Sequence, residues 1–265
     1  MASPSIIITA FSIIKGVFEV VTSWKQTNST TTNSIIKRTE IIENDASITP
    51  KFFLGYISEN YESGKAKTKA INLVRDKITR KIVCNPMDPG GCSYGRWQIS
   101  TRRKTMLKFL KYLEKHNIRF FDKLNKAGGE TGATNGCNKF ISAWRSIATD
   151  LEFQKLEYFF IKTSHYDVLL SPISKICPDY FERHYILKNV LWSCGIQHGK
   201  RGTTMIYNRA FKQLDDDPSD LEIIEAIYFE RKKLGTYFSD CVDLHKSLKR
   251  RFNGEERKVI YFLNS

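Results

Sequence analysis

Two carboxylates lie in local sequences that would hold them in place. Glu62 lies in the run ENYESG, where Gly64 predicts the end of a short helix from Phe52 to Tyr61. Asp88 lies in the run CNPMDPGGCSYG, whose prolines and glycines favour a tight turn. Glycoside hydrolysis needs two carboxyls on opposite sides of the scissile bond, one protonated and one ionised. The helix-end Glu62 suits the acid, and Asp88 on a solvated loop suits the ionised partner.

Spacing alone leaves other assignments open. The chain has 28 acidic residues, so many pairs have a similar separation. Glu59 lies three residues before Glu62 on the same helix face and competes for its role. Asp76 competes in the same way with Asp88. On spacing alone, structural roles for Glu62 and Asp88 are favoured over catalytic ones.

The net charge of the chain restricts the classes of partner that it can bind. The formal net charge is +14, which favours a polyanion such as nucleic acid, anionic lipid or an anionic cell-wall polymer. Lysine and arginine are spread along the whole sequence, with neither zinc-finger spacing nor an RNA-binding aromatic signature. We therefore expect no nucleic-acid partner.

The cysteines and histidines allow one disulfide and indicate no metal site. Cys84 and Cys92 bracket the Asp88 loop and either form a disulfide or remain as two reduced thiols. None of the six cysteines forms a C-x-x-C pair, and the five histidines are scattered without an H-x-x-x-H pair. The sequence therefore predicts no metal and no cofactor.

The composition divides the chain near residue 50. Residues 5–24 are apolar but interrupted by charges, which favours an amphipathic helix that docks on a partner, a membrane or the main domain. Residues 25–34 are a polar linker. We expect residues 1–50 to serve docking or delivery and residues 51–265 to form the hydrolase domain.

The apolar pattern of the domain predicts an α+β fold that is mainly α. Short strands are expected at 81–84 and 94–99, on either side of the Asp88 loop. Helices are expected around 106–113 and 140–151, and a central buried helix around 186–194. Ser219 and Glu222 have the spacing of a capping box that opens a later helix.

Three separated motifs resemble a known family. They are YESG at 61–64, DPGGCSYGRWQIS at 88–100 and LWSCGIQHG at 191–199, followed by IYFERK at 227–232 and by RRF before Glu255 and Glu256. Together they resemble the chitosanase-like, lysozyme-like peptidoglycan hydrolases of phage tail lysins. The same domain forms the C-terminal muramidase effector of type VI secretion spike proteins. The resemblance covers residues 52–265.

The resemblance implies roles for individual residues. Glu62 matches the general acid, and Asp88 matches the second carboxylate, a general base that activates water in an inverting reaction. Such carboxyls are expected roughly 6.5–9.5 Å apart. Ser93 matches a residue that helps to hold the attacking water. The predicted groove-lining residues are Tyr61, Tyr94, Trp97, Gln98, Gln197 and His198, although for His198 a structural hydrogen-bonding role is favoured over catalysis.

The chain also departs from the family pattern. Met87 replaces the glycine that normally precedes the aspartate, and Lys65 replaces the second glycine of YESGG. The link between the two acids is longer than usual and basic. These changes alter the expected groove shape but retain both carboxylates.

Charge selects among the substrates of such enzymes. A protein of net charge +14 repels the polycation chitosan and is attracted to peptidoglycan and its anionic polymers. We therefore expect peptidoglycan glycan strands as the substrate. The alternatives are chitosanase action and a non-catalytic basic protein that binds the wall or nucleic acid. The site of action would be the periplasm or cell wall of a target cell. A phage lysin and a secreted toxin both fit; a toxin implies an immunity protein and a secretion-machine adaptor.

Overall fold

The domain is built from eleven helices and four short strands within the part of the chain that is described. This part comprises residues 53–75, 82–85, 88 and 90–265 of a computed structural model. The helices are α1 (Tyr56–Glu62), α2 (Thr105–His116), α3 (Ile118–Lys126), α4 (Gly129–Thr134), α5 (Asn138–Ile147), α6 (Leu151–Ile161), α7 (Asp167–Ile176), α8 (Ile186–Phe211), α9 (Asp220–Arg231), α10 (Leu234–Tyr237) and α11 (His245–Leu263). The strands are β1 (Leu73–Arg75), β2 (Ile82–Cys84), β3 (Ser93–Tyr94) and β4 (Ile99–Ser100). Short 3₁₀ helices cover Gly64–Lys69 and Ser239–Leu244, and a π-helical turn covers Lys162–Tyr166.

The strands form two small antiparallel sheets, which confirms the mainly α, α+β class. β1 pairs with β2, with Leu73 opposite Cys84. β3 pairs with β4, with Ser93 opposite Ser100. The single strand predicted over 94–99 is therefore wrong, because Gly95 has a φ of 82° and starts a turn between two strands.

The predicted central helix is confirmed in α8. Its first half is largely buried because apolar side chains occupy most of its surface, and it packs against α1, α7 and α9. The buried apolar residues of this half are Ile186, Leu187, Val190, Leu191, Trp192 and Cys194. Gly199 interrupts the helix with a φ of 64°, which separates the buried half from a more polar second half.

Capping residues set the helix boundaries that apolar spacing missed. The Ser219–Glu222 capping box at the start of α9 is confirmed, with hydrogen bonds in both directions. By contrast, Leu151 does not continue the helix of Phe140 and Trp144. The carboxylate of Asp150 accepts from the backbone N of Glu152 and starts α6 instead, which leaves Leu151 72% exposed.

An aromatic core holds the β3–β4 hairpin against the helices. The Tyr94 ring lies 5.2 Å from Phe140 and 5.3 Å from Trp144, between ring centroids. The Tyr94 hydroxyl donates to the carbonyl of Ala133 (2.8 Å). These contacts fix the β3–β4 hairpin to α4 and α5.

The predictions for residues 1–50 lie outside the described residues. Within the described part, residues Phe53–Ser265 cluster as one unit. None of the helices there is long and apolar enough to span a membrane.

Candidate active site

Glu62 is the last residue of α1 and lies at the edge of a polar cleft. Its side chain is 9% exposed, and its Oε1 accepts from Nη2 of Arg251 at 2.5 Å. Among the described residues, Oε2 has no hydrogen-bond partner. One oxygen is therefore oriented by a cation, while the other is available to hold a proton or to contact a ligand.

Arg251 joins Glu62 to a second carboxylate. Its Nε donates to Oε1 of Glu255 (2.9 Å), one turn further along α11. Burial alone would lower the pKa of Arg251, but the carboxylates of Glu62 and Glu255 raise it. Arg251 is therefore a permanent cation whose charge is shared between two acids.

The network continues into the core. Oε2 of Glu255 accepts from the Ser193 hydroxyl (2.7 Å) and from Nη1 of Arg231 (3.2 Å). The Arg231 guanidinium lies 4.5 Å from the ring centroid of Phe252. Burial alone would raise the pKa of Glu255, but Arg251 and Arg231 lower it overall. The charges alternate from Glu62 to Arg231, so each buried ion has an opposite partner.

Asp88 is held by a donor on each carboxylate oxygen. Its Oδ1 accepts from the backbone N of Gly90 (2.7 Å), and its Oδ2 accepts from the side-chain amide of Asn72. Nη1 of Arg102 donates to the Asp88 backbone carbonyl (3.1 Å). An ionised carboxylate accepts about four hydrogen bonds, so lone pairs remain for a water.

A disulfide closes the Asp88 loop. Cys84 and Cys92 are joined, with their Cα atoms 5.1 Å apart. Cys84 ends β2 and Cys92 immediately precedes β3, so the bridge ties the two sheets together beside Asp88.

A cleft of about 500 Å³ lies beside Glu62. Glu62 lines it, and so does Asn72, the residue that holds Asp88. The backbone N of Asn72 donates to the carbonyl of Ser93 (3.0 Å), so the β3 strand positions the amide. The other residues that line the cleft are Ser63, Ala66, Lys69, Ala70, Ile71, Gln98 and Arg145.

Gln98 lines this cleft from a strained position. It has a φ of 51°, which a side chain with a Cβ rarely adopts. Its side-chain amide donates to the carbonyl of Gly95 (3.0 Å) and stabilises the turn. Backbone strain of this kind is concentrated at functional sites, where the surrounding structure maintains it.

The amino-acid sequence was compared with models of known protein families. The family described as "Type VI secretion system spike protein VgrG3-like, C-terminal" matches residues 54–256. The chain belongs to this family. The type VI secretion system spike protein VgrG3 of Vibrio cholerae serotype O1 is 26% identical to it over 214 residues. That alignment covers 78% of this chain but 18% of the Vibrio protein, so the chain corresponds to a small part of that relative.

Two residues expected to line the groove of this VgrG3-like domain, and Ser93, expected to help hold the attacking water, are buried. Tyr94 is completely buried and Trp97 is 2% exposed, packed against Trp192 with ring centroids 5.1 Å apart. Neither ring can contact a sugar, so these two assignments are corrected to core residues. Ser93 is 4% exposed, and its backbone carbonyl accepts from the backbone N of Asn72.

Gln197 and His198 lie at the break in α8. The His198 ring packs against Tyr237, Phe238 and Phe252. Burial, together with Arg231 and Arg251, lowers the pKa of His198 well below its usual value. Oε1 of Gln197 and Nε2 of His198 are buried without a hydrogen-bond partner in the described part of the chain. The cleft is not lined by either residue.

Tyr61 lies beside the acid network. It is 37% exposed, and the Arg251 guanidinium lies 5.9 Å from its ring centroid. Burial, and then the charge of Glu255, raises the pKa of its hydroxyl. The partly exposed ring therefore covers the cation that holds Glu62.

The competing acid Glu59 has a structural environment. Its buried carboxylate pairs with Lys67 (2.5 Å) and with Arg96 (3.2 Å), which links α1 to the 3₁₀ helix and to the hairpin turn. Both oxygens are therefore engaged in ion pairs. Asp76 lies outside the described residues.

Sequence reasoning missed the partners of the two acids. Arg251 and Glu255 lie in the segment that resembled the family's C-terminal end, so a signal existed but gave no role. Asn72 has no recognisable motif around it. Within residues 53–75, 82–85, 88 and 90–265, no group of three or more histidines, cysteines or acids is placed to hold a metal ion.

Proposed function

We propose that this domain is a muramidase effector of type VI secretion, which hydrolyses the β-1,4 glycan bond of peptidoglycan. The observation that carries the proposal is the pairing of a helix-end glutamate, oriented by Arg251, with a loop aspartate held at both oxygens. Glu62 lines a polar cleft, and so does Asn72, which holds Asp88, in a chain of the VgrG3-like family. The substrate assignment rests on this geometry, on the net charge of +14 and on the family.

Glu62 would act as the general acid. Its Oε1 is occupied by Arg251, so Oε2 would carry the proton to the leaving glycosidic oxygen. The same Arg251 guanidinium also donates to Glu255, so Glu62 is oriented as one member of a shared network. Proton donation by a positioned acid typically accelerates such reactions by about 10²–10⁴-fold.

Asp88 would act as the general base on water. Its two donors, Asn72 and the backbone of Gly90, fix the carboxylate and leave acceptor sites for the water proton. Attack by water on the face opposite the leaving group inverts the anomeric centre. The first product would then be the α-anomer at the new reducing end.

The test is digestion of purified peptidoglycan by wild type, Glu62→Gln and Asp88→Asn. Mass spectrometry should identify disaccharide-peptides with a reducing muramic acid end, and each substitution should lower their release about 10²-fold or more. Glu114→Gln is the matched control, because Glu114 is exposed on α2 and remote in sequence from both acids. NMR of early products reports the anomer.

The outcomes separate the alternatives. Release of N-acetylglucosamine reducing ends would replace muramidase action by glucosaminidase action. Cleavage of chitosan in preference to peptidoglycan would assign a chitosanase. Absence of soluble products from walls of several chemotypes would reject the hydrolase assignment and leave a wall-binding module.

A further inference from the structure

Two cations lie on the wall of the cleft beside Glu62. Lys69 ends the 3₁₀ helix Gly64–Lys69, and Arg145 lies on α5. Nε1 of Trp144 donates to the carbonyl of Thr68 (2.8 Å), so each cation directly follows one member of that hydrogen bond. The bond joins the two elements and brings both cations to the same cleft as the proposed acid.

Neither cation is neutralised within the described part of the chain. Lys69 and Arg145 are both exposed, and no ion pair or hydrogen bond involves the side chain of either one there. Other cations near the site are engaged, since Lys67 and Arg96 pair with Glu59. The Lys69–Arg145 pair therefore presents unbalanced positive charge to whatever enters the cleft.

We propose that Lys69 and Arg145 form a subsite for a carboxylate on the muramoyl substituent of the glycan. This inference rests on the proposed function. N-acetylglucosamine carries no charge, whereas muramic acid carries a lactyl group whose carboxyl is either free or linked to a stem peptide with its own carboxylates. Guanidinium and ammonium groups bind carboxylates through charge-assisted hydrogen bonds. The same pair repels the ammonium groups of chitosan, which disfavours that polymer.

The subsite would act on binding rather than on chemistry. A charge-assisted contact favours bound substrate and transition state equally, so its loss raises KM and leaves kcat nearly unchanged. Loss of both cations should weaken binding about ten-fold, the scale of one charge-assisted hydrogen bond. The salt dependence of binding should also become shallower.

The experiment compares Lys69→Gln/Arg145→Gln with wild type and with a charge-matched control, Lys111→Gln/Arg201→Gln. Both control residues are exposed and outside the cleft. Soluble peptidoglycan chains are used intact, after amidation of their carboxylates, and after removal of the stem peptides by an amidase. The expected result is a KM raised about ten-fold on intact chains by the cleft variant alone, with no difference from wild type on amidated chains.

The peptide-free chains identify the carboxylate. A difference that disappears on them assigns the stem-peptide carboxylates, whereas a difference that persists shows that the subsite accepts the lactyl carboxylate that the amidase frees. If the cleft variant raises KM equally on intact and amidated chains, or changes KM on neither, the proposed subsite is overturned.

Binding gives a readout independent of hydrolysis. The same substitutions are made in Glu62→Gln, and dissociation constants are measured for intact and amidated chains. Weaker binding of intact chains only supports the subsite, and unchanged binding refutes it. Failure of the wild type to release fragments would count against the proposed hydrolysis and not against this binding result.

Discussion

Arg251 reaches across 189 positions of the chain to donate to Glu62, and it donates to Glu255 from the same guanidinium. The two hydrogen bonds use Nη2 and Nε, two donors of the planar guanidinium, so one rigid group fixes the orientation of both carboxylates. An ammonium cannot reproduce this geometry.

Arg251→Lys should therefore lower activity while it retains the charge. We expect kcat on peptidoglycan to fall about ten-fold or more, with a smaller change in KM. The reason is that the substitution misplaces the carboxyl of Glu62 but does not remove a contact with the substrate. The control is Arg250→Lys, at the exposed neighbouring position. Steady-state kinetics of the two variants make the comparison, and equal kcat values would refute the positioning role.

Glu255→Gln should destabilise the fold. Arg231 and Glu255 are both completely buried, and neutralising the acid leaves the charge of Arg231 without its partner. Breaking such a pair typically costs about 3–5 kcal/mol. Urea denaturation measures the loss. Glu256→Gln is the control, since its partly exposed pair with Lys232 should contribute about 1 kcal/mol or less; a loss of similar size in both variants would contradict the prediction.

Removal of the Cys84–Cys92 disulfide should lower both stability and activity. On the chain-entropy relation, a loop of this length stabilises the fold by roughly 2.5 kcal/mol. Because the loop carries Asp88, we expect Cys84→Ser/Cys92→Ser to lose activity even at temperatures where it remains folded. Cys241→Ser, at a free cysteine, serves as the control. Full activity of the double variant would show that the disulfide is not needed to position Asp88.

Glu157 should make stability depend on pH. It is buried on α6, accepts from the backbone N of Arg96, and burial raises its pKa to about 7. The folded state therefore holds this proton more tightly than the unfolded chain, and the free energy of unfolding falls as pH rises from about 4.5 to 7. The loss for this group is roughly 3 kcal/mol at most.

Glu157→Gln removes that titration. Relative to wild type, the variant should gain stability between pH 4.5 and pH 8, measured by urea denaturation across the range. Glu152→Gln, at an exposed position in the first turn of the same helix, should show no such trend. A difference between Glu157→Gln and wild type that stays constant with pH would exclude Glu157 as the titrating group.

Local signals were sufficient for much of the fold. The buried half of α8 and the capping box of α9 follow from patterns within about four residues, and both were predicted. The β3–β4 hairpin was not, because its aromatic residues read as a strand. The positions of the Tyr94 and Trp97 rings are determined by packing against helices that lie far along the chain.

The residues of the candidate site also fall into those that the sequence predicted and those that it did not. Glu62 and Asp88 have local context, a helix end and a loop rich in proline and glycine, and were selected from it. Arg251 and Asn72 were not given roles, because hydrogen bonds between distant residues leave no periodic trace in the sequence. The Lys69–Arg145 pair depends on one indole hydrogen bond between α5 and the 3₁₀ helix, which no spacing rule predicts.

The long separation between Glu62 and Arg251 also bears on when the protein becomes competent during synthesis. A ribosome makes the acid early and its guanidinium partner almost at the end of the domain. A nascent chain that has not reached residue 251 contains both proposed catalytic carboxylates but not the group that orients Glu62. Products of premature termination, or of proteolysis before residue 251, would therefore lack an assembled site. The complete arrangement forms only after the ribosome has synthesised the segment that carries Arg251.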